Sequence, residues 1–219
     1  MPDFEESLQE KLPQWPYEVN YGKENEFSAD ILIIGGGVAG SHAAINAAKR
    51  GAKVALVDKA PIVRSGSGGA GVDHWGATFT NPCSKITPEE SMKSPGGPFG
   101  GPYSFGHLRY ITAKESWDAL RDMEEMGMKI RDEDDEFGGS DFRDEETKLL
   151  FAYDYDKKTC NRVQGADVKV YLHKELKRLG VDMYERIMVT GLLNEGGKQG
   201  ARVVGAAGMN IRTGEFYIF

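Results

Sequence analysis

Cysteine, histidine, net positive charge and long apolar runs are all scarce in this 219-residue chain, and each shortage closes a class of functions. The two cysteines, Cys83 and Cys160, lie far apart and form no CxxC pair. A disulfide framework or structural metal site therefore has no support, and two free thiols in a reducing compartment are expected. Of the four histidines, His107 and His173 lie in helical stretches without a spaced partner, and His42 reads as a surface or packing residue. No stretch approaches the roughly 18 apolar residues that a membrane span needs. The opening Met1-Pro2-Asp3-Phe4-Glu5-Glu6 has neither the basic region nor the apolar core of a signal peptide. A cytoplasmic chain with no direct membrane insertion is expected. A net charge of −7 argues against nucleic acid as a partner. The polar bias of disordered chains is also lacking, since 40% of residues are hydrophobic, enough to build a core.

Glycine is abundant and ordered. The 28 glycines concentrate at 35–40, 66–76, 96–106 and 191–208, between apolar segments. Backbone that needs positive φ, or that must approach a ligand closely, wants glycine at such places. Residues 1–28 carry Trp15-Pro16-Tyr17 and many charges without periodicity, and read as an extended N-terminal arm. Ile31–Ile34 and Val54–Val57 are short apolar runs of the kind buried on both faces of a parallel sheet. The alanine-rich Ser41–Arg50 between them predicts a helix stopped by Gly51. Residues 60–104, with Pro95-Gly96-Gly97-Pro98 near their end, read as one long loop. Leu108, Ile111, Trp117, Leu120 and Met123 predict a helix ending at Gly127. Val168, Leu172, Leu176 and Leu179 predict another, closed by Gly180. Runs at Arg186–Leu193, Arg202–Asn210 and Glu215–Phe219 predict an antiparallel meander. Asp132-Glu133-Asp134-Asp135-Glu136 suggests a calcium loop, but the turn glycine would fall at Phe137 and the closing glutamate at Arg143. A solvated acidic loop is the expectation.

The chemistry lies in Gly35-Gly36-Gly37-Val38-Ala39-Gly40, a GxGxxG placed between a strand and a helix. Gly35 serves the tight turn, Gly37 lets backbone approach a pyrophosphate, and Gly40 allows helix to pack on strand. Unpaired N–H groups and the helix macrodipole favour anions at that helix start. Asp58 closes the second strand twenty-three residues after Gly35, where a carboxylate can accept ribose hydroxyls and repel a 2′-phosphate, which disfavours NADP. A glycine-rich turn with no nucleotide is the bland alternative. FAD and NAD both remain open from these residues alone.

A second glycine-rich run, Arg64-Ser65-Gly66-Ser67-Gly68-Gly69-Ala70-Gly71, begins six residues after Asp58. Here the sequence resembles the succinate dehydrogenase and fumarate reductase flavoprotein family, including its adenylylsulfate reductase α-subunit branch. The resemblance continues through Glu125-Met126-Gly127-Met128, the helix from Asp167 to Leu179, Glu185-Arg186-Ile187-Met188-Val189-Thr190-Gly191, and Gly205 to Phe219. It covers roughly residues 29–219 and implies an α/β, Rossmann-like FAD-binding domain: a parallel sheet plus an antiparallel β-meander. It further implies a flavin-dependent oxidoreductase with a small-molecule substrate and an iron–sulfur electron-transfer partner. The residues it assigns to the cofactor are Gly35, Gly37, Val38, Ala39 and Gly40 of the turn, and Asp58, Lys59 and Ala60 after the second strand. In the second loop it assigns Arg64, Ser65, Gly66, Ser67, Gly69, Ala70 and Gly71, and beyond it the backbone at Val189, facing adenine. His74 and Trp75 either touch the flavin ring or pack beneath the loop, and Arg64 either anchors that loop or touches flavin.

Three departures from the family bear on function. Respiratory members carry a flavin-linking histidine where this chain has Gly66, so non-covalent FAD is expected. Val72-Asp73-His74-Trp75 replaces the asparagine that the adenylylsulfate reductase branch places near the flavin. Family members continue past the meander into an Ala-Thr-Gly-Gly-type segment, a capping domain and the catalytic arginine and histidine. With the chain ending at Phe219, the capping domain and those catalytic residues are expected to be absent from it. The rival readings are an NAD-binding dehydrogenase domain, which the second loop and meander disfavour, and a non-catalytic flavin-binding or interaction module.

Overall fold

The computed structural model describes residues 23–93 and 105–219. Its centre is a βαβ unit. Strand β2 (Ile31–Ile34) runs parallel to β3 (Val54–Asp58), in register from Ile31 opposite Val54 to Ile34 opposite Val57. Helix α1 (Val38–Lys49) connects them. β3 is buried from Val54 to Val57: sheet partners flank it, Val54 and Leu56 face the helical core, and Ala55 lies on the side of a second sheet, which is why four consecutive apolar residues suit it. The third parallel strand is β6 (Asp182–Glu185), paired to β3 so that Asp58 stands opposite Glu185. The sheet order is β2-β3-β6, and among the described residues nothing pairs with the outer edge of β2.

Two further helices close the core. α3 (Gly106–Glu125) turns Ala113, Trp117, Leu120 and Met123 inward. α4 (Val168–Arg178) buries Val168, Leu172 and Leu176 against Ala44 and Ile45 of α1. Each of those leucines has no exposed surface and contributes roughly 1.5–3 kcal/mol by leaving water. A short helix, α2 (Pro88–Lys93), opens on a capping box: the N–H of Glu90 donates to Thr87 Oγ1 and the N–H of Thr87 to the Glu90 carboxylate. No helix among the described residues is long and apolar enough to cross a membrane.

The second sheet is the meander. β7 (Ile187–Asn194), β8 (Val203–Asn210) and β9 (Phe216–Ile218) pair antiparallel in sequence order. β1 (Asn25–Glu26) adds to β9 in parallel. The expected arm thus contributes a strand at its end; residues 1–22 lie outside the described residues, as does the proline–glycine stretch at 94–104. The α/β class, with a parallel sheet and an antiparallel meander, is what the structure has.

Several boundaries differ from the sequence expectation, and three further strands, β6 among them, are not foreseen by it. The first helix begins at Val38 rather than Ser41, because Gly37 already serves as its N-cap. The supposed loop after residue 60 contains two 3₁₀ turns (Ile62–Arg64 and Ser67–Ala70), strand β4 (Val72–Trp75) and α2. β4 pairs antiparallel with β5 (Asn161–Gly165), a partner so distant in sequence that neither strand shows itself locally. The acidic stretch is not simply solvated. Asp132 and Arg143 are buried there, with Arg143 Nε 2.8 Å from Asp132 Oδ2, and Asp135 and Glu145 pair with the same guanidinium.

Candidate functional site

The turn between β2 and α1 is built by close contacts that only glycine allows. Gly35 has φ +103 and donates its N–H to Val57 O at 2.7 Å, tying the turn to β3. A Cβ on Gly40 would lie 1.8 Å from the Gly35 carbonyl oxygen, so any side chain there would open the turn. Gly37, Val38, Ala39 and Gly40 form the N-cap and first turn of α1, with no side chain capping them. Their outward N–H groups have no intrahelical partner and face anions favourably.

Asp58 holds the far side of the turn. Its Oδ2 accepts from the Gly36 N–H at 2.6 Å and its Oδ1 from the Ala60 N–H at 2.7 Å. Each carboxylate oxygen keeps a second lone pair for a further donor. Lys59 beside it is exposed, and Ala60 is half-buried. Glu185, opposite Asp58 in register, accepts from the Ile62 N–H at 2.8 Å and so fixes the start of the second loop.

That loop lies directly on the first. Gly66, at φ +76, comes so close to the turn that a Cβ on it would sit 2.9 Å from Gly37 Cα. Ser65 is buried and donates to Gly36 O at 2.8 Å. Arg64 is exposed; its Nη1 reaches Gly69 O and Ala166 O, each at 3.4 Å, and Nη2 stands 3.8 Å from Asp167. It therefore ties the loop to the start of α4. A Cβ on Gly69 would strike Arg64 O at 2.1 Å, so the loop is closed by backbone contact. Ser67 and Ala70 are exposed. Ala70 and Gly71 line an open groove of about 460 Å³ with Val72, Asp73 and residues 163–166.

The structure brings Gly35–Gly40, Asp58–Ala60 and Arg64–Gly71 into one wall. Val189 stands outside it, half-buried on β7, at a bulge in the pairing with β8. Trp75 packs under the loop: its Nε1 donates to Ser116 Oγ at 3.1 Å on α3, and its ring joins the main core. His74 is exposed, with Nδ1 2.6 Å from Asp73 Oδ1 and its ring edge-on to Tyr153. The hydrogen bond from His74 lowers the Asp73 pKa, and the Asp73 charge raises that of Tyr153. His42 is half-buried, and burial lowers its pKa.

Sequence reasoning overlooked the most unusual group at the site. Lys169 on α4 is 1% exposed and reaches under the turn. It donates to Gly36 O and, at 2.9 Å, to Ser41 Oγ. Burial pushes its pKa down to about 8, with the Asp58 charge acting in the opposite sense. The available signal was position: Lys169 falls three and seven residues before Leu172 and Leu176, on the apolar face of an amphipathic helix.

Comparison with known proteins places the chain in a family. The FAD binding domain family matches residues 30–217. A fumarate reductase (CoM/CoB) subunit of Methanothermobacter marburgensis is 28% identical over 201 residues, covering 86% of this chain and 32% of that protein. Adenylylsulfate reductase from Archaeoglobus fulgidus superposes with a TM-score of 0.67 at 23% identity, over 95% of this chain and 32% of that one. Mycobacterium smegmatis Sdh1 superposes with a TM-score of 0.66 at 21% identity, over 89% and 33%. The chain thus spans about a third of the length of these relatives.

Proposed function

Because the chain belongs to the FAD binding domain family, we propose that residues 29–219 are the dinucleotide-holding part of a flavin-dependent oxidoreductase of the fumarate reductase and succinate dehydrogenase kind. Gly37 carries this reading. Its φ of −64° is open to any residue, and a Cβ there would meet nothing nearer than Gly66 Cα at 3.7 Å. The fold alone does not demand glycine at this position, whereas a pyrophosphate lying against the backbone does.

In this reading the N–H groups of Gly37, Val38, Ala39 and Gly40 hold the phosphates, and the free lone pairs of Asp58 accept ribose hydroxyls. Asp58 also repels a 2′-phosphate. Lys59 and Ala60 border the ribose, and the Val189 backbone faces adenine. The second loop, from Arg64 and Ser65 through Gly66, Ser67, Gly69 and Ala70 to Gly71, would cradle the flavin. Gly66 offers no imidazole, so the cofactor is held without a covalent bond. When bound, FAD supplies hydride exchange with a small substrate, while these residues supply binding, orientation and electrostatics. The methanogen relative is one component of a larger reductase, which supports a multi-chain assembly, in which an iron–sulfur partner in the cytoplasm exchanges the electrons.

Gly37→Val tests the reading. Its FAD dissociation constant, measured by quenching of flavin fluorescence, should rise at least about a hundredfold, equivalent to about 2.7 kcal/mol. Its circular dichroism should remain that of the wild type. Undiminished FAD affinity in the folded variant removes the turn from the site, and tighter binding of NADH than of FAD by the wild type favours the dehydrogenase alternative.

A further inference from the structure

The carbonyl oxygen of Gly36 accepts from three donors: Ser41 Oγ at 3.2 Å, Ser65 Oγ at 2.8 Å and Lys169 Nζ. A carbonyl has two lone pairs, and the two serine hydroxyls suffice to satisfy it. The ammonium is therefore not there to rescue an orphaned acceptor. Its other acceptor, Ser41 Oγ, is also neutral. A cation buried to 1% exposure with only neutral groups in contact is a standing cost to the fold.

The peptide between Gly36 and Gly37 explains what the cost serves. It is trans, so its N–H points opposite to its C=O. Donors converging on Gly36 O from the buried side hold the Gly37 N–H toward the open side, where the uncapped first turn of α1 already presents its N–H groups. The positive charge of Lys169 lies directly behind that peptide.

We propose that Lys169 is a positioning residue of the dinucleotide site: its ammonium aims the Gly37 N–H outward and supplies a positive charge that a bound pyrophosphate neutralises. The inference rests on the FAD reading above and adds a proton to it. The charged and titratable groups facing Lys169 are few. Asp58 stands at the end of β3, His42 on α1 and His173 further along α4. Burial lowers both imidazoles from their ordinary value, so neither changes charge above neutral pH. Arg64 is paired with Asp167, and Glu185 is bound to the Ile62 N–H. Lys169, with its pKa near 8, is thus the group whose proton responds when a dianionic ligand binds in mildly alkaline solution.

The experiment compares the wild-type chain with Lys169→Met by titration with FAD and with riboflavin, which lacks the pyrophosphate, one unit below and one unit above a pH of about 8. Below that pH the variant should bind FAD about tenfold more weakly, the effect of losing one charged hydrogen-bonding group. Wild-type affinity should fall on crossing to the higher pH, the variant's should not, and riboflavin should distinguish neither protein nor pH. Calorimetry of FAD binding to the wild type near pH 8, in two buffers of different ionisation heat, should register net proton uptake; this needs no variant and stands even if Lys169→Met misfolds. Equal FAD affinities, a shared pH dependence, or no proton uptake overturns the inference while leaving the FAD reading in place. A wild type that binds no FAD at either pH overturns both.

Discussion

Lys169 and Arg143 are both cations withdrawn from water, and they differ in what faces them. Arg143 meets carboxylates on every side: Asp132, itself buried, and the exposed Asp135 and Glu145. Asp132 in turn accepts the N–H groups of Glu136 and Phe137, each at 3.0 Å, so the acidic loop closes around a neutralised pair. Lys169 meets a carbonyl and a hydroxyl. Charge that is matched inside the protein serves the fold; under the FAD reading, the charge left unmatched beneath a row of free N–H groups serves the bound pyrophosphate.

The largest effect should come from breaking the matched site. Asp132→Ala strips Arg143 of its buried partner and orphans two N–H groups, and should lower stability by about 3–5 kcal/mol in urea unfolding. FAD affinity of the molecules that remain folded should be unchanged, since the loop lies apart from the glycine wall. A loss below about 1 kcal/mol would mean that the pair does not hold the loop, and the contrast with Lys169 would lose its reference.

A second, smaller effect should appear at the unmatched site. The Lys169 pKa is depressed to about 8 in the folded chain from an ordinary 10.5. Between those values the unfolded chain binds more protons than the folded one, so this group's contribution to stability rises with pH across that window and is lost as pH falls through about 8. Without ligand, Lys169→Met should be the more stable protein at neutral pH. Its lead should shrink by up to about 3 kcal/mol as the pH climbs toward 10.5, in urea melts of both proteins at matched pH. A difference independent of pH would show that the buried ammonium carries no such cost.

The smallest effect belongs to an exposed cation. Arg64 is matched with Asp167 at 3.8 Å, but both side chains are more than half exposed. Arg64→Ala should cost less than about 1 kcal/mol of stability. A larger loss in the same melts would show that its reach to Gly69 O and Ala166 O, rather than its charge, closes the second loop.

What could be read in the sequence was local. Ile31–Ile34 and Val54–Asp58 declare themselves because both strands are built on unbroken apolar runs, and the glycine turn because close contact at Gly40 leaves no alternative. The meander is visible because its turns carry Gly196, Gly197 and Gly214. Pairings made at a distance were not visible. β4 finds β5 across some ninety residues, as His74 opposite Arg162 shows, and β6 presents Asp182 and Glu185 at its ends, a poor strand signature until β3 lies beside it. The residues that the structure gathers into one wall were legible one by one, while the contacts beneath them were not. Ser41, Glu185 and Lys169 act through contacts with segments remote from them in the chain, and a lysine on an apolar helix face has no meaning until the turn above it is known.

The edge of β2, unpaired among the described residues, has a consequence of a different kind. Ile31 and Ile34 are 40% and 49% exposed, and the strand's outer row of N–H and C=O groups lies beside them. The strand itself contains no charge, proline or bulge that would deter another strand from docking. Such an edge is a template for pairing between molecules. Where nothing covers it, Ile31 and Ile34 together with that open row of backbone groups add to the chain's tendency to clump as its concentration rises.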